Sequence, residues 1–461
     1  MLMKVPVYDV LDPATLEVVG QAPEHTEEDV RQSIATANLA AAGWAADRES
    51  RRSTLREVAA RIRTRAPQLG RILSLEQGKV LSEAIGEFQV AADLFEYYAN
   101  MDWDETEALP ERAGRKLQVQ YRPVGLVGTI TPWNFPISLL CVKLAPALVA
   151  GCTVIAKPSA TTPLSTIALV ELANELLPEG VLQVRTSSRR TVNVALAELP
   201  EIRKISFTGS TEVGAAVAAA ATSSVKRVTL ELGGNDPAIV LEDADLEATA
   251  RGIVGSAFRN AGQVCMAVKR VYVPRAMQGA FTEVVVAEAA KLSLGHGVAE
   301  GTTMGPMHTA KQRQSVQEMV DAALNSGARL AAGGGTGCDL PGHFMNPTII
   351  ANAAAGMALV DQEQFGSALP IIGYDSVDEA MVQANSGPFG LGASLWTPDL
   401  DRAEALASNL EAGTVWINQH TVVELDAPFG GWKASGTGRE RGRWGLEEYL
   451  EPRTVNARSH G

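Results

Sequence analysis

Lys204-Ile205-Ser206-Phe207-Thr208-Gly209-Ser210-Thr211-Glu212-Val213-Gly214 reads as a short buried strand that turns directly into a helix. Ser210 has the position and chemistry of a helix N-cap, and its hydroxyl and the backbone N–H groups after it suit a pyrophosphate. Working outward, β-branched runs of strand length occur at Gly125 to Ile130, Cys152 to Ala156, Val181 to Val184 and Val228 to Leu232, with a helical pattern such as Leu164 to Leu177 between them. Strand and helix in alternation predict a parallel sheet covered by helices, with a nucleotide-sized crevice at the strand ends. The GxGxxG signature of a Rossmann turn is absent.

A second set of strands follows Gly234, at Ala238 to Leu241, Arg270 to Val273, Leu391 to Trp396 and Gly413 to Asn418, and predicts a second α/β domain. The first hundred residues are expected to be mostly helical, over Glu27 to Ala45, Arg51 to Arg65 and Gln68 to Tyr98 with a break near Gly78. Lys116 to Arg122 and Arg453 to Ala457 are strand-like pieces outside the alternation. They are expected to pair with each other or with another subunit. Gly333-Gly334-Gly335-Thr336-Gly337 lacks the lysine and hydroxyl of a P-loop and reads as a surface turn.

Composition narrows the class. At 461 residues the chain exceeds one core, and roughly 150 residues per domain gives about three units. A net charge of -13 without a basic cluster excludes a nucleic-acid partner and disfavours anionic substrates. Four cysteines without a CxxC pair (Cys141, Cys152, Cys265, Cys338) read as free thiols of a reducing compartment, and six scattered histidines without HExxH give no metal site. The start, Met1 to Pro6, lacks a signal-peptide run, and no stretch of about 18 apolar residues would cross a membrane. A cytoplasmic enzyme is expected.

Chemistry is carried by Glu231, in Glu231-Leu232-Gly233-Gly234, and Cys265, in Asn260-Ala261-Gly262-Gln263-Val264-Cys265. A thiolate is a strong nucleophile at neutral pH and a nearby carboxylate can take a proton from water, so the pair suggests covalent acyl chemistry followed by hydrolysis. Glycines flanking both residues allow close backbone approach to a ligand.

From Asp12-Pro13-Ala14-Thr15 to the C-terminal tail the chain resembles the aldehyde dehydrogenase superfamily. The resemblance is carried by Thr131-Pro132-Trp133-Asn134-Phe135-Pro136, Lys157-Pro158-Ser159, Phe207 to Gly214, the Glu231 and Cys265 turns, Glu363-Gln364-Phe365-Gly366, and Pro428-Phe429-Gly430-Gly431-Trp432-Lys433-Ala434-Ser435-Gly436 continuing into Gly438 to Gly442. It implies an α/β fold with a Rossmann-type cofactor domain (1–114 and 124–233), an α/β catalytic domain (234–449) and a small β-extension for oligomerisation (115–123 and 450–461). It implies a homodimer or homotetramer. The implied activity is NAD(P)-dependent, non-acylating oxidation of an aldehyde to the acid: Cys265 attacks, Asn134 and the Cys265 N–H hold the oxyanion, and Glu231 activates the water that cleaves the thioester. Lys143 and Glu440 would support the oxyanion loop and a proton path, or form a structural ion pair. Cofactor contacts are implied at Ile130, Thr131, Trp133, Lys157, Ser159, Ala160, Gly209, Ser210, Glu231, Leu232, Glu363 and Phe365.

Departures from the family pattern bear on the details. Many NAD-specific relatives place a glutamate where this chain has Ala160; without that carboxylate a 2'-phosphate is no longer repelled and NADP becomes possible, with Arg189 or Arg190 near its phosphate or simply solvated, while NAD stays the first choice of cofactor. The implied substrate side is Phe135, Val142, Arg259, Val264, Val423 and Phe429. Semialdehyde-acid enzymes of the family carry an arginine at the Arg259 position and another where Val142 stands, and Glu424 and Asp426 would repel a carboxylate. An uncharged aliphatic or aromatic aldehyde is therefore expected, with a succinate-semialdehyde-type substrate as the alternative. Outside the class, the alternatives are a cofactor-free thiol esterase and an inactive binding protein.

Overall fold

A computed structural model describes residues 6–458 apart from Ala113 and Cys338. Met1 to Val5, the Cys338 thiol and the last three residues of the expected oligomerisation segment thus lie outside the described residues. Five strands of the first sheet run parallel in the order Arg227–Glu231, Lys204–Thr208, Leu126–Ile130, Thr153–Lys157, Leu182–Val184. Leu126–Ile130, Thr153–Lys157 and Lys204–Thr208 are buried on both faces, as a helix-covered parallel sheet requires. The chain moves outward in one direction from Leu126–Ile130 and then returns to its other side with Lys204–Thr208. That reversal opens a crevice at the carboxyl ends of the two strands, between Ile130 and Thr208.

The second sheet has seven strands, in the order Arg329–Ala332, Thr348–Ala353, Ala368–Tyr374, Val268–Pro274, Asp236–Val240, Gly392–Trp396, Thr414–Ile417. Only its first strand is antiparallel to its neighbour. The expected boundary between the two domains departs from the observed sheets near the C-terminus. Gly436–Thr437 pairs antiparallel with Leu230 and Glu231 as a sixth strand of the first sheet, and Leu446, Tyr449 and Leu450 lie in the core beneath that sheet. The last part of the 234–449 segment thus returns to the cofactor side.

Helices come first, as expected, at Glu27–Ala46, Arg48–Gln77 and Leu81–Asn100. Thr26 and Asp29 form a reciprocal capping box that starts the first of them. The gap expected between Arg65 and Gln68 is not there, because Arg48–Gln77 continues through Pro67. Ala66, Leu69 and Leu73 share one core with Phe88, Ala91 and Phe95, and that burial outweighs the roughly 3 kcal/mol of an interior proline. The two strand-like pieces pair with each other within the chain: Arg115–Pro123 lies antiparallel to Leu450–Arg458 with Gln120 opposite Arg453, and Thr106–Arg112 adds an unexpected third strand. No described helix is long and apolar enough to cross a membrane.

Candidate active site

Cys265, the expected nucleophile, stands after a strained turn. Asn260 (φ 48°), Ala261 (φ 55°) and Gly262 (φ 76°) are consecutive left-handed residues, a conformation a non-glycine side chain adopts only at a cost of order 1 kcal/mol or more. A Cβ at Gly262 would collide with the carbonyl of Gly366, so that position has to be glycine. Gln263 is fully buried and braces the turn from within: its amide donates to Asn260 O at 2.9 Å and its Oε1 accepts the His308 N–H at 2.7 Å. Cys265 follows, half-buried. Burial pushes its thiol up to about 12, with the carboxylates Glu363, Asp236 and Glu231 adding to the effect and Lys269 opposing it. Cys265 is therefore held as a thiol at neutral pH.

Asn134 is buried beside this turn and its side-chain N–H group donates to Gln263 O at 3.0 Å. A primary amide carries two hydrogens, so one fixes the group and the second is left for a ligand. The Asn134 carbonyl accepts from Lys79 Nζ at 2.6 Å and from Asn260 Nδ2 at 3.1 Å, which ties the two turns together. Lys79 is fully buried, paired with Glu87 and 3.7 Å above the Phe135 ring. The other oxygen of Glu87 accepts the N–H groups of Ile137 and Ser138 at 3.3 and 3.2 Å, holding the start of the helix Ser138–Ala150. Lys79 and Glu87 thus set the position of Asn134 although no nucleophile or cofactor pattern marks them in the sequence.

Glu231 ends its strand with both carboxylate oxygens buried and without a protein partner among the described residues. Its pKa is raised well above the ordinary range by burial and by the field of Glu440, against the pull of Lys143 and Arg439. Lys143 and Glu440 form a buried ion pair. Backbone hydrogen bonds of 2.8 Å in both directions link Glu440 to Phe429, so the pair sits at the base of the Phe429 to Gly431 turn. Gly234 lets the Glu231 turn press against the Cys265 turn, since an added Cβ there would stand 2.5 Å from Cys265 O. Glu231 and Cys265, 34 residues apart in sequence, thus lie close enough for the Glu231 carboxylate to act on the Cys265 thiol.

The expected cofactor residues line the ends of the first sheet. Ile130, Lys157, Thr208 and Glu231 are the last residues of four adjacent parallel strands, and Ser210 caps the helix Thr211–Thr222, its hydroxyl accepting from Val213 N at 3.4 Å. Thr131 and Thr208 have buried hydroxyls without a partner among the described residues. Lys157 is buried, and the desolvation lowers its pKa to about 8. Orphaned donors beside a capped helix N-terminus fit a dinucleotide, whose phosphates and ribose hydroxyls supply the missing partners. Ser159 bonds to Thr161 at 3.1 Å and Ala160 is half-buried beside it, whereas Leu232 is buried with its N–H on Ser435 O at 2.9 Å. Gly209 donates to Glu231 O at 3.1 Å and joins the two strand ends.

At the catalytic end of the cleft Trp133 stacks on His308 (4.5 Å between centroids) and meets Phe365 edge-on at 5.7 Å. His308 is buried and held neutral, its pKa pulled down to about 4 by desolvation; Nε2 bonds to Thr161 Oγ1 at 2.7 Å and Nδ1 to Gln77 O at 3.1 Å. Glu363 Oε1 accepts the Gly234 N–H at 3.2 Å and its pKa is raised to about 7 by burial, against the pull of Lys269. Lys269 is buried under Phe365 with Nζ on Gly262 O at 2.6 Å and a pKa lowered to about 8 by burial. Sequence reasoning missed Lys79, Glu87, His308 and Lys269. Two adjacent basic residues, Lys269 and Arg270, inside the buried strand Val268–Pro274 were the one available signal.

The substrate-side residues fall into two groups. Phe135, Val423 and Phe429 are half-buried and Arg259 is exposed with its guanidinium 5.5 Å from the Phe135 ring, whereas Val142 and Val264 are buried and Val142 belongs to the apolar core. Glu424 and Asp426 are exposed. Among the described residues no cluster of three or more histidine, cysteine or acidic side chains is placed to hold a metal.

Residues 4–455 match the model of the aldehyde dehydrogenase family, and the chain belongs to that family. It is 39% identical to a glutarate-semialdehyde dehydrogenase of Pseudomonas putida over 96% of this chain and 92% of the relative. It is equally 39% identical, with the same coverage, to an NADP-dependent succinate-semialdehyde dehydrogenase of Escherichia coli. The fold matches the betaine aldehyde dehydrogenase of Staphylococcus aureus, solved with NAD+, at a TM-score of 0.96 and 33% identity over 99% of this chain and 92% of that one. The protein is an oxidoreductase that oxidises aldehydes with NAD or NADP. This membership sets aside the cofactor-free esterase and the inactive binding protein, for which the partnerless donors along the strand ends would have no use.

Proposed function

We propose that Cys265 is the nucleophile, that Asn134 and the Cys265 N–H hold the oxyanion, and that Glu231 is the base for thioester hydrolysis, giving a free acid. The observation that carries this reading is the single cleft in which the thiol, the half-free amide of Asn134 and a partnerless buried carboxylate meet. Attack by Sγ on the aldehyde carbon forms the C–S bond as the thiol proton leaves to solvent, and the carbonyl oxygen becomes an oxyanion that the second Asn134 hydrogen is free to meet. The residues at the strand ends, Ile130, Lys157, Thr208 and Glu231 with the Ser210 cap, would hold NAD(P), which would supply the hydride acceptor. What remains is a thioester on Cys265, and a water admitted to Glu231 satisfies its orphaned oxygens and loses a proton to it. Lys143 and Glu440 act behind Glu231, where their opposite fields tune its proton affinity. Trp133, Glu363 and Phe365 border the nicotinamide side, and Ile130, Thr131, Lys157, Ser159, Ala160, Gly209, Ser210 and Leu232 the rest of the cofactor.

The substrate proposed is an uncharged aliphatic or aromatic aldehyde, entering between Phe135, Val423 and Phe429 past the exposed Glu424 and Asp426. A second reading, an aldehyde acid, is favoured by the exposed Arg259 beside Phe135 and by the semialdehyde relatives. Comparing kcat/KM for hexanal, benzaldehyde, succinate semialdehyde and glutarate semialdehyde separates the two. The uncharged aldehydes should lead, and Arg259→Gln should leave them unaffected. A preference for the acids that collapses by roughly ten- to a hundredfold in Arg259→Gln, the scale of one lost charge-assisted hydrogen bond, would establish the second reading instead.

We also infer a cytoplasmic homodimer or homotetramer, joined through the small three-stranded sheet. Thr106–Arg112 is exposed at every position and Leu450–Arg458 at every position but its first, so two bare strand edges stand on the surface unless another copy covers them. A chain truncated after Pro452 should sediment as a smaller species or aggregate. Sedimentation at the full-length oligomer's size would assign the interface elsewhere.

A further inference from the structure

We propose that Glu24, from the N-terminal segment, is the carboxylate that selects NAD over NADP in this chain and replaces the acid missing at Ala160. The inference rests on the reading above that Lys157 stands at the adenosine ribose. Glu24 lies between the strand Val18–Pro23 and the capping box of the first helix, more than 130 residues before Lys157 in sequence. The fold nevertheless brings the two together. The loop after Leu182–Val184 runs beside the end of the Lys157 strand, with Val184 opposite Ala156 and the Arg185 N–H donating to Ala156 O at 2.8 Å. That loop then takes hold of Glu24: Ser187 Oγ donates to one carboxylate oxygen, and Ser188 N and Ser188 Oγ donate to the other at 3.0 and 2.6 Å. On either side, His25 N donates to Thr186 O at 2.9 Å and Thr186 Oγ1 to Pro23 O at 2.5 Å, so the position is fixed from both directions.

Charge completes the argument. Although burial works against ionisation, the three hydrogen bonds and Arg189 hold the Glu24 pKa below the ordinary carboxylate value, so it is an anion at neutral pH. Its field is also the one charge that raises the proton affinity of buried Lys157. A 2'-hydroxyl beside Lys157 can donate to a carboxylate, whereas a 2'-phosphate brings up to two further negative charges toward it. Arg189, the side chain otherwise free to meet that phosphate, already faces Glu24.

Isothermal titration of the full-length enzyme with NAD+ and with NADP+, without aldehyde, reads this directly. In Glu24→Gln, which keeps an acceptor for the serines and removes the charge, NADP+ should bind roughly ten- to a hundredfold tighter while NAD+ changes little. Adding Ala160→Glu to that variant should restore the preference for NAD+. In the wild-type enzyme, raising the salt concentration should narrow the gap between the two cofactors, because screening weakens a repulsion. A gap that widens with salt, or an unchanged ratio of dissociation constants in Glu24→Gln, would overturn the proposal, and the salt arm stands even if the variant does not fold. Lys157→Met tests the underlying placement separately: unchanged binding of both cofactors there would mean that the ribose lies elsewhere, whatever Glu24 does.

Discussion

Replacing Cys265 by serine is expected to abolish aldehyde oxidation, by roughly a thousandfold or more on the scale of single nucleophile losses, while coenzyme affinity stays nearly unchanged. The change should remove no cofactor contact, because Cys265 follows the strained turn Arg259–Gly262 and is not one of the strand-end residues proposed to hold the dinucleotide. It removes a polarisable sulfur that gives up its proton more readily than a hydroxyl does and substitutes the weaker nucleophile. The same side chain should show its environment chemically. With its thiol pushed up to about 12 by burial and three carboxylates, alkylation by iodoacetamide in the absence of coenzyme should climb about tenfold per pH unit and show no plateau below about pH 9. Near wild-type turnover in Cys265→Ser would remove the residue from its role, and an alkylation plateau near pH 7 would mean that a positive group not seen in this arrangement activates the thiol.

What could be read in the sequence is tied to period and to short-range chemistry. The strands ending at Ile130, Lys157, Thr208 and Glu231 are runs of apolar and β-branched residues because both their faces are buried, and the Ser210 cap follows at once. Thr106–Arg112 has no such signal: every position is exposed, and Pro110 argues against a strand except at an edge. Gly436–Thr437 is two residues long and becomes part of the first sheet only because Glu231 is opposite it, a pairing that no local pattern encodes. The helix Arg48–Gln77 departs from the expected Arg65 and Gln68 ends for the opposite reason, since core packing carries it through Pro67.

The same division holds inside the cleft. Cys265, Glu231 and Asn134 each sit in a recognisable turn, but the groups that hold them come from far along the chain. Lys79 reaches the Asn134 carbonyl across 55 residues and His308 reaches Gln263 across 45. Buried lysines and neutral histidines of this kind are chosen by the tertiary field around them, and sequence spacing carries almost no trace of it.

Glu231→Gln separates the two halves of the reaction. The substitution keeps the size of a buried side chain whose carboxylate oxygens have no hydrogen-bond partner among the described residues, so the site should remain intact, and it removes the group proposed to accept a proton from water. Cys265 attack and oxidation should then proceed once, and the thioester should persist. Rapid mixing should give a burst of reduced coenzyme near one equivalent per active site, followed by a steady rate lower by roughly a hundred- to ten-thousandfold. Intact-protein mass spectrometry should find the acyl group on Cys265. The proton balance of the wild-type site leads to a linked expectation. Because burial and Glu440 raise the Glu231 pKa, the residue keeps its proton to higher pH than an ordinary glutamate, and steady turnover should rise with pH above the ordinary carboxylate range as the base form is gained. That rise should be missing from the residual steady rate of Glu231→Gln. Loss of the burst would assign Glu231 to activation of the thiol, whereas unchanged steady turnover would move the base to another group, with Glu440, paired to Lys143 behind it, the next to test.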